Sequence, residues 1–181
     1  MKLSDLVFVT SNLGKLREAE SVLGVKLDHQ ALDLVEVQSL DLAEVVRDKA
    51  RTAFSRILRP VLVEDTALEL SGLGGFPGPL VRWLLVTVGP PGISRIAHAF
   101  GDPRAVARCM ACACDGAEDV VGTGVVRGII AERPRGRKGF GWDSVFIPED
   151  GGDRTYGEMT LAEKNLISHR RKALESLKKA L

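Results

Sequence analysis

The sequence lacks any long apolar run. Its longest, "LVRWLLVTVG", is about half the ~20 residues that a membrane-spanning helix needs. It also lacks an excess of charge of either sign: 25 Lys and Arg face 24 Asp and Glu, a formal net charge of +1. Such a balance gives no global attraction to nucleic acid or to a membrane surface. The one dense basic stretch, "RPRGRKG" at 133–139, reads as a solvated loop. Cysteine is scarce as well. All three lie in "CMACAC", with no paired Cys/His cluster elsewhere, which excludes a zinc site and a disulfide framework. Cys112 and Cys114 fall on one face of a strand and read as small buried residues. No small-residue cleavage pattern follows the N-terminal apolar run, so a cytoplasmic protein is expected.

The remaining composition, 45% hydrophobic and 27% charged, is that of a globular protein, and 181 residues fit one domain, 1–181. The patterning predicts a strand at 6–10, a helix at about 14–23, an extended segment "ALDLVEVQ" and a helix from about 41 to 58 stopped by Pro60. "VLVE" at 61–64 follows as a buried strand, then a Gly/Pro loop at 72–79 and short helices near 79–88 and 92–99. Two β-rich runs flank "DGAED", a hairpin signal, and "SVFIP" is one more strand. "TLAE" is a capping box that opens the closing helix, with Leu166, Leu174, Leu177 and Leu181 facing the core. This order gives an α/β fold, an elongated mixed sheet flanked by helices, with two lobes and a central cleft.

Four stretches carry candidate chemistry. "VFVTSNLGKLREAESVLG" is strand, polar turn, helix, a place where phosphate is often held. It is not a P-loop: Leu16 follows Gly14-Lys15 where Ser or Thr is required, and Val9 stands at the first glycine position. The alternative is an ordinary turn with Asn12 near the helix start. "VEDTALEL" puts Glu64 and Asp65 directly after a buried strand. If the chain turns at Asp65, both carboxylates approach one hard cation, and Glu36 is placed to add a third. The alternative is Asp65 capping the next turn and Glu36 in solvent. "KGFGWDSVFIP" places Phe140 and Trp142 beside glycines in a chain with 5% aromatics. Such a loop either stacks on a base or anchors a tight turn in the core. "EKNLISHRRKAL" supplies Lys164, His169, Arg170 and Arg171. On one ideal helix Lys164 and Arg170 would lie about 120° apart, so long side chains or a bend at Ser168 are needed to aim both at one ligand.

Taken in order, "TSN-x-GK", "VEDT-x-L", "GG-x-PGP", "GFGWD-x-x-F-x-P" and "AEKN-x-ISHR" resemble the inosine triphosphate pyrophosphatase family over residues 7 to 174. The resemblance implies hydrolysis of ITP, dITP or XTP to the monophosphate and pyrophosphate. It implies that Thr10, Ser11, Asn12, Leu13, Gly14 and Lys15 bind the triphosphate. It implies Mg2+ held by Glu36 and by Glu64 or Asp65, with Asp65 the catalytic carboxylate. Thr66, Lys49 and Arg82 are implied substrate contacts. Phe140, Gly141, Trp142 and Asp143 match the base-binding loop, and Lys164, His169 and Arg170 the remaining nucleotide contacts. A homodimer is implied too. Three positions depart from the family pattern: Ser11 for glycine, Leu80 for tyrosine and Gly157 for alanine. None removes a charge from the implied site.

Overall fold

In the computed structural model, which describes residues 1–181, the apolar run Val7-Phe8-Val9 forms β1 (Val7–Val9), buried throughout. The polar turn after it ends at Asn12, whose side chain accepts the N–H groups of Gly14 and Lys15 and starts α1 (Leu13–Leu23). This cap satisfies two of the donors that a helix start leaves open. The chain continues through β2 (Asp28–Gln30) and α2 (Leu42–Ile57), which Asp41 caps, into β3 (Val61–Leu70). β4 (Pro77–Gly78) and α3 (Val81–Ala99) follow. α3 is two helical stretches, as expected, broken at Gly89 (φ 65°, ψ −179°) ahead of Pro90-Pro91, which lack the N–H groups to continue the ladder. β5 (Arg104–Cys114) and β6 (Asp119–Ile130) form the expected hairpin, and β7 (Phe146–Pro148) adds to its outer edge.

The strands make one mixed sheet in the order β2-β1-β3-β5-β6-β7, with β4 on β3. β2, β1 and β3 are parallel; β3, β5, β6 and β7 are antiparallel neighbours. The three central antiparallel strands run 10 to 12 residues, while β1 and β2 have three each. One face buries Leu6, Phe8, Leu62 and Ala113 against Leu23 of α1. The closing helix contributes Leu174 and Leu177 to the same cluster. The other face buries Val9, Val61, Val63, Cys112 and Cys114 against Val46 and Ala50 of α2. A third cluster, with Leu68, Leu70, Ile93, Trp142, Phe146 and Tyr156, fills the far end.

The closing helix is broken where the sequence allowed it. α4 (Leu161–Ile167) starts at the Thr160/Glu163 capping box and ends at Ser168. The Ser168 hydroxyl then accepts the Arg171 N–H and starts α5 (His169–Ala180). α5 lies directly on β6, because Gly122 and Gly124 leave room for its backbone. A Cβ on Gly124 would stand 2.1 Å from the His169 carbonyl oxygen, and one on Gly122 2.2 Å from that of Ala173. Three expectations need correction. Leu166 is 70% exposed, because the break at Ser168 shifts the helical phase and turns Lys164 and Asn165 inward instead. "ALDLVEVQ" is not a strand. Leu32 and Leu34 do pack against the α2 cluster, but the sheet edge ends at Gln30. β3 does not end at Glu64; its ladder to β5 runs through Asp65↔Met110 to Leu70↔Ala105.

Candidate active site

The site forms where β1 stops, not where β3 leaves the sheet. β1 pairs with β3 only through Val7↔Val61 and Phe8↔Leu62, and β4 joins that edge only at Leu68, so from Val63 to Ala67 the edge of β3 has no strand neighbour. Ligands collect at such carboxyl ends of parallel strands. Because β3 continues, Glu64 and Asp65 point to opposite faces of the sheet. Glu64 shares the α1 and α5 side with Leu62, and Asp65 the α2 side with Val63. Lys15, at the start of α1, sits past the end of β1 and reaches both. Its Nζ is 2.6 Å from Glu64 Oε1 and 3.8 Å from Asp65 Oδ1. On the α2 side Lys49 Nζ lies 2.6 Å from Glu36 Oε1 and 3.9 Å from Asp65 Oδ2. The result is an alternating row, Glu36, Lys49, Asp65, Lys15, Glu64, along the open edge of β3.

Behind this row lies a buried ionic layer. Arg170 donates through Nε to Glu64 Oε2 at 3.1 Å and through Nη1 to Glu18 Oε2. Lys164 Nζ donates to Glu18 Oε1 at 2.8 Å and to Asp143 Oδ2 at 2.7 Å. The Cys109 thiol donates to Glu64 Oε2 at 3.3 Å. Counting Lys15, three cations and three carboxylates balance, as burial of charge requires. Burial alone would raise the pKa of Glu64, but Arg170 and Lys15 outweigh it and hold the group well below the usual carboxylate range. Burial likewise opposes the charge on Lys15, and Glu64 and Asp65 overcome it, raising its pKa. At Asp143 burial prevails over Lys164 and the pKa rises.

The third component is the turn Gly139–Asp143. Gly139 (φ 75°) and Gly141 (φ 61°) take the left-handed backbone that a side chain would resist, and they hold Phe140 between them. The Phe140 N–H donates to Asp143 Oδ2 at 2.8 Å and the Asp143 N–H to the Phe140 carbonyl at 3.2 Å. Gly141 and Trp142 keep their N–H groups outside these turn bonds. Trp142 is the anchored aromatic, buried between Phe146 and the His169 ring, which stacks on it at 5.2 Å. Phe140 is only half-buried.

His169 is buried, its Nδ1 has no hydrogen-bond partner, and burial, then Arg170 and Lys164, push its pKa well below the usual imidazole value. It is therefore neutral at working pH. The unfolded chain takes up this proton below about pH 6.5 and the folded chain does not. The contribution of His169 to stability is thus full above that pH and is lost as pH falls. Between pH 6.5 and 5.5 stability should drop by about 1 kcal/mol. Urea midpoints at the two pH values should show this drop, and it should be absent in His169→Gln.

These components enclose a cavity of about 700 Å3. Thr10, Ser11, Asn12 and Lys15 line it with Glu36, Lys49, Asp65 and Thr66. Phe140, Gly141, Trp142, Asp143, His169 and Arg170 line it as well, with Val81, Arg82 and Leu85. Four expected residues do not line it. Leu13 is 55% exposed and turned outward. Gly14 lies beneath Phe140, and Glu64 and Lys164 stand one layer behind, in the buried ionic set. Sequence reasoning missed Glu18, Cys109 and the lining residues Ala31 to Leu34. For Glu18 a signal existed: an acid beside Ala19 on the apolar face of α1, one turn after Lys15.

The carboxylates suit a hard, oxygen-seeking cation. The position of Lys15 Nζ shows that one cationic point is within reach of both Glu64 and Asp65. Glu64 Oε1 is buried and, despite the nearby ammonium, accepts no aligned hydrogen bond. Glu36 does not converge on the same point; Lys49 lies between it and Asp65.

The chain is similar to known proteins over nearly its whole length. The chain is 46% identical over 176 residues to "Inosine triphosphate pyrophosphatase 2" of Trypanosoma cruzi, covering 96% of this chain and 90% of the relative. It is 40% identical to "dITP/XTP pyrophosphatase" of Methanopyrus kandleri, covering 94% and 92%. Its fold superimposes on a HAM1 protein from Coxiella burnetii with a TM-score of 0.84 at 27% identity, over 97% of both chains. The Ham1 family model matches residues 6–180, so essentially the whole chain, site included, belongs to the Ham1 family.

Proposed function

We propose that this chain hydrolyses the α–β phosphoanhydride of non-standard purine nucleoside triphosphates, ITP, dITP and XTP, releasing the monophosphate and pyrophosphate. The observation that carries the reading is one cavity lined both by lysines and carboxylates and by an aromatic turn. A triphosphate fits the first chemistry and a purine the second. Relatives at 40–46% identity bear the names of such pyrophosphatases.

In this reading the turn Thr10–Lys15 receives the phosphates at the N-terminus of α1, with Lys15, Lys49 and Arg82 neutralising their charge. Lys15 and Lys49 then exchange carboxylate partners for phosphate oxygens. Glu64 and Asp65 would hold Mg2+, and Glu36 would join them only once Lys49, which lies between, turns to phosphate. Bound there, Mg2+ would supply charge neutralisation at the phosphate oxygens. Asp65 orients and deprotonates the attacking water. Arg170 keeps Glu64 ionised in the buried layer, and Lys164 opposes the effect of burial at Asp143 without overcoming it.

Phe140 stacks on the base, and the free N–H groups of Gly141 and Trp142 face its edge. A 6-oxo group accepts from such donors; the amine of ATP leaves a donor unpaired, at about 1–3 kcal/mol for each. His169, neutral and with Nδ1 free, adds a further polar contact. The protein is read as a cytoplasmic homodimer. The apolar face with Phe76, Trp83 and Val86, the last 74% exposed, is the surface offered for pairing. The three free buried thiols suit a reducing compartment.

The test is a product assay with magnesium and ITP, dITP, XTP, GTP, ATP or dTTP. Monophosphate and pyrophosphate should appear chiefly from the inosine and xanthosine nucleotides. Diphosphate and phosphate would mean that the attacked phosphorus is wrong. Binding without turnover would make the chain a nucleotide-binding module.

A further inference from the structure

Gly14 is the second residue of α1, and the space its side chain would fill is taken. A Cβ there would lie 2.7 Å from Phe140 Cδ1 and 2.8 Å from Cε1. The edge of the Phe140 ring therefore rests on the bare backbone of the turn read as the phosphate site. The backbone of Phe140 is fixed from elsewhere, by its N–H bond to Asp143 Oδ2. The other close neighbours of the ring are cations: Lys164 Nζ at 4.8 Å and Arg170 Cζ at 5.4 Å from its centroid. Cation–π attraction tolerates a range of tilts at such distances. A steric contact does not, so the tilt of the ring is set at Gly14.

We propose that Gly14 is a specificity-determining residue: by having no side chain it lets Phe140 lie at the tilt that receives the purine, and so couples the phosphate turn to the base turn. The inference rests on the reading of Phe140–Asp143 as the base-binding turn. Gly14 is not needed for its backbone, since its φ lies outside the left-handed region and alanine is the better helix former. Only two flexible ends must yield to an alanine there, the Phe140 ring and the Asn12 carboxamide, whose Oδ1 would be 2.9 Å away. Movement of Asn12 alters the phosphate turn and affects every nucleotide alike. Movement of the ring shifts the stacked base against the Gly141 and Trp142 N–H groups, and so changes discrimination between a 6-oxo group and an amine.

The experiment measures kcat/KM for ITP and for ATP in the full chain and in Gly14→Ala, Phe140→Leu and the double variant. Gly14→Ala should lower the ITP:ATP ratio about tenfold, because a tilted ring shifts the base edge off the Gly141 and Trp142 N–H groups and one donor-to-oxo contact, about 1–3 kcal/mol, is lost. Phe140→Leu should lower it similarly, and the double variant no further, because without the ring Gly14 has nothing to set. If Gly14→Ala lowers both nucleotides equally while Phe140→Leu changes the ratio, Gly14 serves the phosphate turn alone. The inference is then overturned and the base-turn reading stands. An unchanged ratio in Phe140→Leu overturns the base-turn reading, and the role of Gly14 with it.

Discussion

Asp65→Asn lowers ITP turnover by about 10²–10⁴-fold, the range for loss of a positioned general base, and leaves the fold intact. The fold survives because the carboxylate has few structural duties. Its Oδ1 accepts the Thr66 N–H at 2.8 Å, a bond that the asparagine oxygen reproduces. Its other contacts, Lys15 at 3.8 Å and Lys49 at 3.9 Å, are long. What the substitution removes is charge and basicity at the one carboxylate of the β3 pair that lines the cavity. Glu64, though adjacent, stands behind it with its own partners and has no free path to a water there. Single-turnover kinetics on ITP check the rate, and a urea midpoint within error of the parent checks the fold. A variant with more than about a tenth of parental turnover removes Asp65 from the chemistry.

How much of this was legible depends on the distance in sequence over which each feature is determined. The β1–turn–α1 unit was readable because its signals are adjacent: three apolar residues, then Asn12 as cap. The break at Ser168 was readable because one straight helix would point Lys164 and Arg170 apart. The length of β3 was not. Thr66-Ala67-Leu68-Glu69-Leu70 has no intrinsic strand signature, and it stays extended because β5 supplies a ladder partner for each of its residues, from Cys109 to Ala105. The carboxylate pair was therefore expected at a turn and is found on a straight strand, opened by the end of a different strand. "ALDLVEVQ" carried the alternation of a strand, and burial does alternate at Leu32 and Leu34. Hydrogen bonding to a neighbour, which sequence pattern does not report, is what is missing. The buried ionic layer was the least legible. Glu18 and Lys164 are 146 residues apart, and nothing local says that an acid on α1 will meet a lysine on α4.

That layer carries the largest expected effect on stability. Arg170 is buried, and it serves two carboxylates from different elements, Glu18 of α1 and Glu64 of β3. Arg170→Met keeps much of the aliphatic volume and leaves both acids without their shared partner. Breaking a buried pair in this way costs about 3–5 kcal/mol, a large part of the 5–15 kcal/mol that holds a domain folded. The pH dependence gives the sign. In the parent, Glu18 and Glu64 have lowered pKa values, so their contribution is present above the usual carboxylate value near 4.5 and is lost as pH falls. In Arg170→Met burial dominates and their pKa values rise. Protonation then becomes favourable in the folded state, and the deficit relative to the parent should shrink as pH is lowered toward 5. Removing one orphaned charge should do the same at neutral pH, so Arg170→Met/Glu18→Gln should be more stable than Arg170→Met alone. Urea unfolding of the parent and both variants at pH 7.5 and pH 5 tests the argument. A constant deficit at both pH values, with no recovery in the double variant, would mean that Arg170 stabilises by packing and not by charge.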